Sequence, residues 1–490
     1  MARLYDMELI IQIDDKHRHS EMIESKKNNL RSNSMTNTIA VDLNHDKEVK
    51  HKSGSLNFDQ SIFLQNKFHE LIPGGSHTYA KGDDQFPEFM PPYIVKGKGC
   101  KVWDVDGNEF IEYGMGLRSV GLGHAFEPVI KAAANQLKLG SNFGRPSTIE
   151  LECAEEFLSM IDGAEMVKFC KNGSDALDGA VRLSRAYTGR DMIGVCADHP
   201  FFSSGDWFIG STAMSAGVAD EVKKNTLSFK YNNIESITQL FFDYPNQIAC
   251  IILEPQKYDE PKENFLNQLK DLCYQHGTVL IFDEMITGFR WHKGGAQKKF
   301  GVVPDLSAWG KAMANGFSVA ALAGTREIMQ HGGIKHSHER VFLLSTTHGA
   351  ETHALAAAIA TMKFYKQENV IAQLYEQGDK LEKGITKAAL DLGIQDYVKV
   401  IGPACCSAYV TLGYDHQPSQ AFRTLFLQET LKRGLLMPST VVSYSHSDID
   451  IEVTINKIYE AFIVYAKALK QGIDKYLVGR EVKPVWRKYN

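Results

Sequence analysis

No Cys-x-x-Cys pair occurs in this chain, and its eight cysteines, with Cys405 and Cys406 adjacent, fall at no His/Cys ligand spacing. That argues against a zinc module or a disulfide framework and for free thiols in a reducing compartment. No apolar run approaches the roughly 20 residues that a spanning helix needs. The start, Met1 to Asp15, has a short apolar stretch (Leu9-Ile10-Ile11) but lacks a basic n-region, so a secretory signal is not expected. A strong charge imbalance is missing too. A formal net charge of −5 over 490 residues gives no general pull toward nucleic acid or an anionic membrane. Internal repeats are absent. The expectation is a cytoplasmic protein that binds neither nucleic acid nor membrane.

What is there divides by character. Residues 1–56 are rich in Lys, His, Asn, Ser and Asp and poor in aromatics. Such a stretch buries too little apolar surface to offset its ordering entropy and reads as a loosely ordered polar extension. From about Phe58, short apolar runs alternate with helical patterns, as in a parallel sheet with covering helices. Ala249–Leu253 and Thr278–Phe282 have the length and composition of strands buried on both faces. Between them, Phe265–Gly277 carries Leu266, Leu269, Leu272 and Cys273 at helical spacing, which completes a βαβ unit. Ala354–Lys366 is strongly helical, and Ser407–Leu412 and Ser419–Arg433 read as a strand and a helix. The division expected is a large α/β domain over 131–385, with a smaller domain made of 57–130 and 386–490.

Three features bear chemistry. The strand Thr278–Phe282 runs into Asp283-Glu284, and ligands of open α/β sheets lie beyond the carboxyl ends of strands; a strand-end acid also serves as a loop cap. Lys311 lies among small and apolar residues in Ser307–Gly316. Burying an ammonium is costly, and desolvation frees the neutral amine to form a Schiff base, although a lysine can also snorkel to water. Finally, Lys171-Asn172-Gly173-Ser174-Asp175 follows a strand-like run (Met166–Cys170) and opens a helix with Leu177, Ala180, Val181 and Leu183 as apolar positions. Free N–H groups there suit a phosphate, and an ordinary Ser or Asp cap accounts for the same residues. Together, a phosphate cradle, a strand-end carboxylate and a buried lysine meet the needs of pyridoxal 5'-phosphate (PLP) chemistry.

The stretch Ile281-Phe282-Asp283-Glu284-Met285-Ile286-Thr287-Gly288-Phe289-Arg290, then Gly301-Val302-Val303-Pro304-Asp305-Leu306 and Gly310-Lys311, resembles the class III aminotransferases. Among these, it is most like the glutamate-1-semialdehyde 2,1-aminomutases. Pro73-Gly74-Gly75, Trp103-Asp104-Val105-Asp106-Gly107 and Gly121-Leu122-Gly123-His124 add to the likeness, which spans about Phe68 to Phe462. The resemblance implies the α/β fold of type I PLP-dependent transferases (aspartate aminotransferase-like). That fold has a large, mostly parallel seven-stranded sheet domain and a small α+β domain drawn from both chain ends. It implies Lys311 as the Schiff-base lysine and Asp283 as the partner of the pyridine nitrogen. Gly173 and Ser174 fall in the phosphate loop, Met285 on one ring face, Phe201 on the other, and Glu254 near the cofactor. Thr346 matches a threonine that reaches the phosphate of the neighbouring subunit in a homodimer with shared active sites.

The resemblance also has gaps. Thr78 and Lys81 stand where the mutases place a serine and a carboxylate-binding arginine, and lysine offers a point charge in place of a planar fork. Leu117 replaces a tryptophan. Asp206–Gly217 is shorter than the mutase gating loop, and Pro438–His446 is shortened as well. The expected function is therefore amino transfer from a small-molecule donor to an aldehyde or keto acceptor other than glutamate semialdehyde, with Thr78, Lys81, Arg118 and Arg145 as substrate candidates; a general resemblance to surface-polysaccharide aminotransferases implies a sugar-derived acceptor. The alternatives are the mutase reaction, a PLP racemase or decarboxylase, and a non-catalytic PLP-fold binding protein. Retention of both Lys311 and Asp283 speaks against the last. His348 and His353 are spaced i, i+5, which does not set both on one helix face, and no metal site is expected.

Overall fold

A computed structural model describes residues 56–490. The expected polar extension thus lies outside the described residues, apart from Leu56, which packs beside Phe58 and Phe110. In chain order the strands are β1 (Ile94–Lys98), β2 (Lys101–Asp104), β3 (Glu109–Glu112), β4 (Met166–Cys170), β5 (Met192–Cys196), β6 (Thr226–Phe229), β7 (Ile248–Leu253), β8 (Val279–Asp283), β9 (Leu306–Trp309), β10 (Ala320–Gly324), β11 (Val398–Ile401), β12 (Ala408–Thr411) and β13 (Leu435–Leu436).

Seven of them form one sheet in the order β4-β10-β9-β8-β7-β5-β6. Only β10 runs against its neighbours; the pairs β5/β6, β5/β7, β7/β8 and β8/β9 are parallel. Every residue of β7 and β8 is buried, which is why both read as unbroken apolar runs and not as alternating ones. The connecting helix Phe265–Gln275 buries Phe265, Leu266, Leu269 and Cys273 on one face. Gly277, at φ 59°, then turns the chain into β8. Relative to the sequence reading, β8 begins and ends one residue later. The shift matters, because it makes Asp283 the last residue of the strand, in register with Ala308 of β9.

Strands from before and after the seven-stranded sheet in sequence meet in a second sheet, β1-β2-β3-β13, where Leu435 and Leu436 pair in parallel with Ile111 and Glu112. A third sheet pairs β11 with β12. These smaller sheets and the helices Val370–Asp391 and Asp448–Gln471 make the α+β part. The alanine-rich helix Thr352–Gln367 buries Ala354, Ala356, Ala357 and Ala358, side chains short enough to let neighbouring helices approach closely.

Arg290 ties the parts together. Its guanidinium is fully buried and donates to the carbonyls of Arg118 (3.2 Å), Val120 (3.1 Å) and Val442 (3.1 Å), with a longer contact to Cys405 (3.5 Å). A planar fork of five donors suits such divergent acceptors. No carboxylate pairs with Arg290 among the described residues, so carbonyl dipoles alone balance the charge.

Candidate active site

Strands β8 and β9 are parallel neighbours, so their carboxyl ends open on the same side. Asp283 closes β8 and Lys311 follows β9 after the single residue Gly310. The Asp283 carboxyl is 4% exposed, and its Oδ1 accepts the Met285 N–H at 2.9 Å. Burial and the nearby Glu254 charge push it up to about 7, against the pull of Lys311. Lys311 starts a single 3-10 turn, Lys311–Ala314, at φ 47°, a left-handed conformation that disfavours a side chain by about 1 kcal/mol. Its side chain keeps partial contact with solvent, yet the protein around the amine lowers its pKa by desolvation. Lys257 and Arg118 add to that effect, while Asp283 and Glu254 oppose it. No salt bridge or hydrogen bond engages this amine among the described residues.

The next acid is treated differently. Glu284, fully buried, accepts N–H groups of Ala296 (2.9 Å) and Gln297 (2.7 Å) and the Thr287 hydroxyl. It secures the loop after β8. The loop-cap alternative for a strand-end acid thus applies to Glu284, and Asp283 keeps its outer oxygen free of protein partners.

On the far side, the helix Gly173–Thr188 points its N-terminus at the strand ends. Asn172 is the cap, its Oδ1 accepting the Asp175 N–H at 3.0 Å, so Ser174 is not spent on capping. The Ser174 hydroxyl instead accepts the Ser204 N–H at 3.0 Å. Met285 lies between two glycines: a Cβ on Gly173 would come 3.0 Å from its sulfur, and one on Gly310 2.8 Å. Phosphate loop, strand end and lysine turn therefore converge on one thioether.

Glu254, just past β7, is 2% exposed. Its Oε1 meets Lys257 Nζ at 2.5 Å, while Oε2 has no partner. Burial is the largest influence and works against its charge, yet Lys257 together with the other basic groups around it outweighs that and keeps the carboxyl below its ordinary value. His199 Nδ1 accepts the Glu254 N–H at 3.1 Å, and burial lowers this imidazole to about 4, leaving it neutral. Arg118, at φ 73°, is opposed by burial but sits in the field of Cys406, Tyr258 and Glu254 and stays charged.

Of the residues singled out from sequence, Asp283, Lys311, Glu254, Met285, Gly173, Ser174 and Arg118 come together. Lys81 and Leu117 line a cavity of about 380 Å³ with Ser76, His77, Glu112 and Pro438; Thr78 is half-buried beside it. Phe201 is 47% exposed and stacks on Trp486. Arg145 and Thr346 are exposed, and among the described residues no side-chain bond joins either to the cluster. His348 pairs with Glu351, whereas His353 packs on Phe317. A larger cavity of about 1020 Å³, at Arg182, Tyr187, His331 and Arg340, shares no residue with the strand-end cluster. Sequence reasoning missed Lys257, His199 and Trp486. Lys257 had a signal, a cation three residues after a buried acid. The other two are defined by contacts between distant segments.

The cluster fits PLP on the chain's own terms. Glu254 Oε2 and the Asp283 carboxylate are buried with acceptor capacity unused, and a primary amine and helix N–H groups face the same space.

The family model for class-III aminotransferases matches residues 79–437. The glutamate-1-semialdehyde 2,1-aminomutase of a Sulfurihydrogenibium species is 32% identical over 435 residues, covering 83% of this chain and 99% of that protein. That of Desulforamulus reducens is 32% identical over 438 residues, covering 84% and 99%. Among solved structures, the PLP form of the FumI protein from Sphingopyxis sp. MTA144 superposes with a TM-score of 0.76 at 25% identity, over 84% of this chain and 97% of that one. A glutamate-1-semialdehyde aminomutase from Pseudomonas aeruginosa PAO1 gives 0.71 at 21% identity, over 82% and 94%, a likeness of fold.

Proposed function

The chain belongs to the class-III aminotransferases, enzymes that use PLP, and from that premise we propose that it moves an amino group from a small-molecule donor to an aldehyde or keto acceptor. The observation that carries this reading is the amine of Lys311 and the carboxyl of Asp283 at the ends of adjacent strands, neither neutralised by a dedicated partner.

PLP supplies an aldehyde that takes up the donor nitrogen and a ring that absorbs the electrons released at the donor carbon. Lys311 would hold that aldehyde, and its depressed pKa makes its free amine a base able to take the proton from the donor carbon and return it elsewhere. Asp283 would keep a proton on the ring nitrogen, and the positive charge it then faced would draw its own pKa back down. Gly173 and Ser174 would receive the phosphate, Met285 and Phe201 would cover the ring, and Glu254 would lie near the cofactor. Arg118 is the better of the two arginine clamps, since it lies in the field of Glu254 whereas Arg145 is exposed. Thr346, exposed on its own subunit, would act across a homodimer, and mass measurement in solution tests that state. Eight unpaired cysteines support a cytoplasmic setting.

The mutase reaction is the second reading, because the relatives of 32% identity carry that name. Against it stand Lys81 and Leu117 at the 380 Å³ cavity and the segment 206–217, whose Trp207 and Phe208 are buried and fixed in a short helix. A mutase must retain its intermediate behind a mobile gate; a transferase must release a keto product from the donor. An amino donor supplied alone should therefore yield keto product stoichiometric with the chain, and a sugar-derived carbonyl should then be aminated. Efficient conversion of glutamate semialdehyde to 5-aminolevulinate would overturn the transferase reading.

A further inference from the structure

The segment 479–490 touches both the loop that carries Asp84 and the loop that carries Phe201. Near its start, the Arg480 N–H donates to Glu88 Oε2 (2.8 Å) and the Val482 N–H to Thr424 Oγ1 (2.8 Å). The Lys483 N–H then reaches the Asp84 carbonyl (2.9 Å), and Arg487 forms an ion pair with the Asp84 carboxylate (2.7 Å). Asp84 lies three residues past Lys81. Held between these anchors, Trp486 is half-buried. Its ring stacks on Phe201 (6.3 Å between centroids, 27° between planes) and meets Phe208 edge-on (6.2 Å, 88°).

The loop that carries Phe201 is fastened to the site on both flanks. His199 accepts the Glu254 N–H, and the Ser204 N–H donates to Ser174. Its backbone is therefore set, but the Phe201 ring is 47% exposed and would turn freely without a neighbour. Trp486 and Phe208 are the aromatic neighbours that fix it.

We infer that Trp486 is a positioning residue for the cofactor: it clamps one face of Phe201 so that the ring is held ready for PLP. This rests on the reading of Phe201 as a ring-covering residue. An aromatic pair of this kind corresponds to about a two- to tenfold effect on an equilibrium.

The test titrates PLP into cofactor-stripped full-length protein and follows its absorbance. W486A should bind PLP about three- to tenfold more weakly, W486F should recover most of the loss, and the thermal midpoint of the stripped chain should stay with the parent. F201A should weaken binding at least as much, and the double variant no further than F201A alone. Parent-like binding by W486A beside a weakened F201A overturns this inference alone. Parent-like binding by F201A overturns the Phe201 reading itself. Equal loss in W486F and W486A, additive losses in the double variant, or a lowered midpoint in the stripped chain would make Trp486 mere packing and overturn the inference as well.

Discussion

At the carboxyl ends of β8 and β9 the central groups are Asp283, which is buried, and Lys311, which is partly so, both set by adjacent strands of one sheet. At the rim, Thr78, Lys81, Phe201 and Trp486 come from segments far apart in the chain and keep contact with water. Burial shifts pKa values and creates reactivity, so the centre fixes what kind of bond is broken. Screening by water keeps rim charges weak, so under the proposed function the rim would sort substrates and set binding. That reading gives chemistry to the sheet and selectivity to the loops.

The largest break of that contrast is at Lys311. K311A should lower turnover by at least about a thousandfold, measured as amino transfer under saturating PLP; retained turnover would move the chemistry out of the centre. D283N keeps the shape but loses the charge that faces the ring nitrogen, and kcat should fall about 100- to 1000-fold. E284Q sharpens the comparison, since this acid is as buried as its neighbour but serves the loop. It should reduce stability by about 1–3 kcal/mol in a denaturant titration while PLP affinity changes little. K81A, at the rim, should raise KM for a charged acceptor about three- to tenfold, with kcat within about twofold of the parent. A comparable fall in kcat would place Lys81 in the centre.

The smallest effect is on pH dependence. In the folded chain, burial and the Glu254 charge outweigh the pull of Lys311 and raise Asp283 from 3.8 to about 7. Its contribution to stability is full below the unfolded value and is lost as pH rises through about 7. The melting point of cofactor-free protein should therefore fall between about pH 5 and pH 8, and D283N should reduce that slope without abolishing it, because Glu284 is also raised to about 7. An unchanged slope in D283N would show that this carboxyl is already ionised.

The centre was legible because it follows from local rules. Unbroken apolar runs marked β7 and β8, the strand end exposed Asp283, and an isolated lysine among small residues stood out. The family likeness then placed Gly173, Ser174, Met285 and Glu254 beside them. What sequence left open, geometry divided: Asn172 does the capping that Ser174 or Asp175 could have done, and the two adjacent acids part company at the strand end. The rim was less legible for a physical reason. The stack of Trp486 on Phe201 joins residues nearly 300 positions apart, and no periodicity or turn chemistry records such a meeting. The Lys257–Glu254 pair was hidden by the opposite problem, an i, i+3 spacing too common to single out.

The two-residue pairing of β13 with β3 carries a consequence for synthesis. Glu112 leaves the ribosome about 320 residues before Leu435, which at roughly 5–20 residues per second is on the order of 20–60 s. Throughout that interval one edge of β3 has hydrogen-bonding groups with no strand to meet them, the sort of edge that recruits other chains. A ribosome that stalls or terminates anywhere in this window releases a product unable to close its smaller sheet, however well the seven-stranded one has formed.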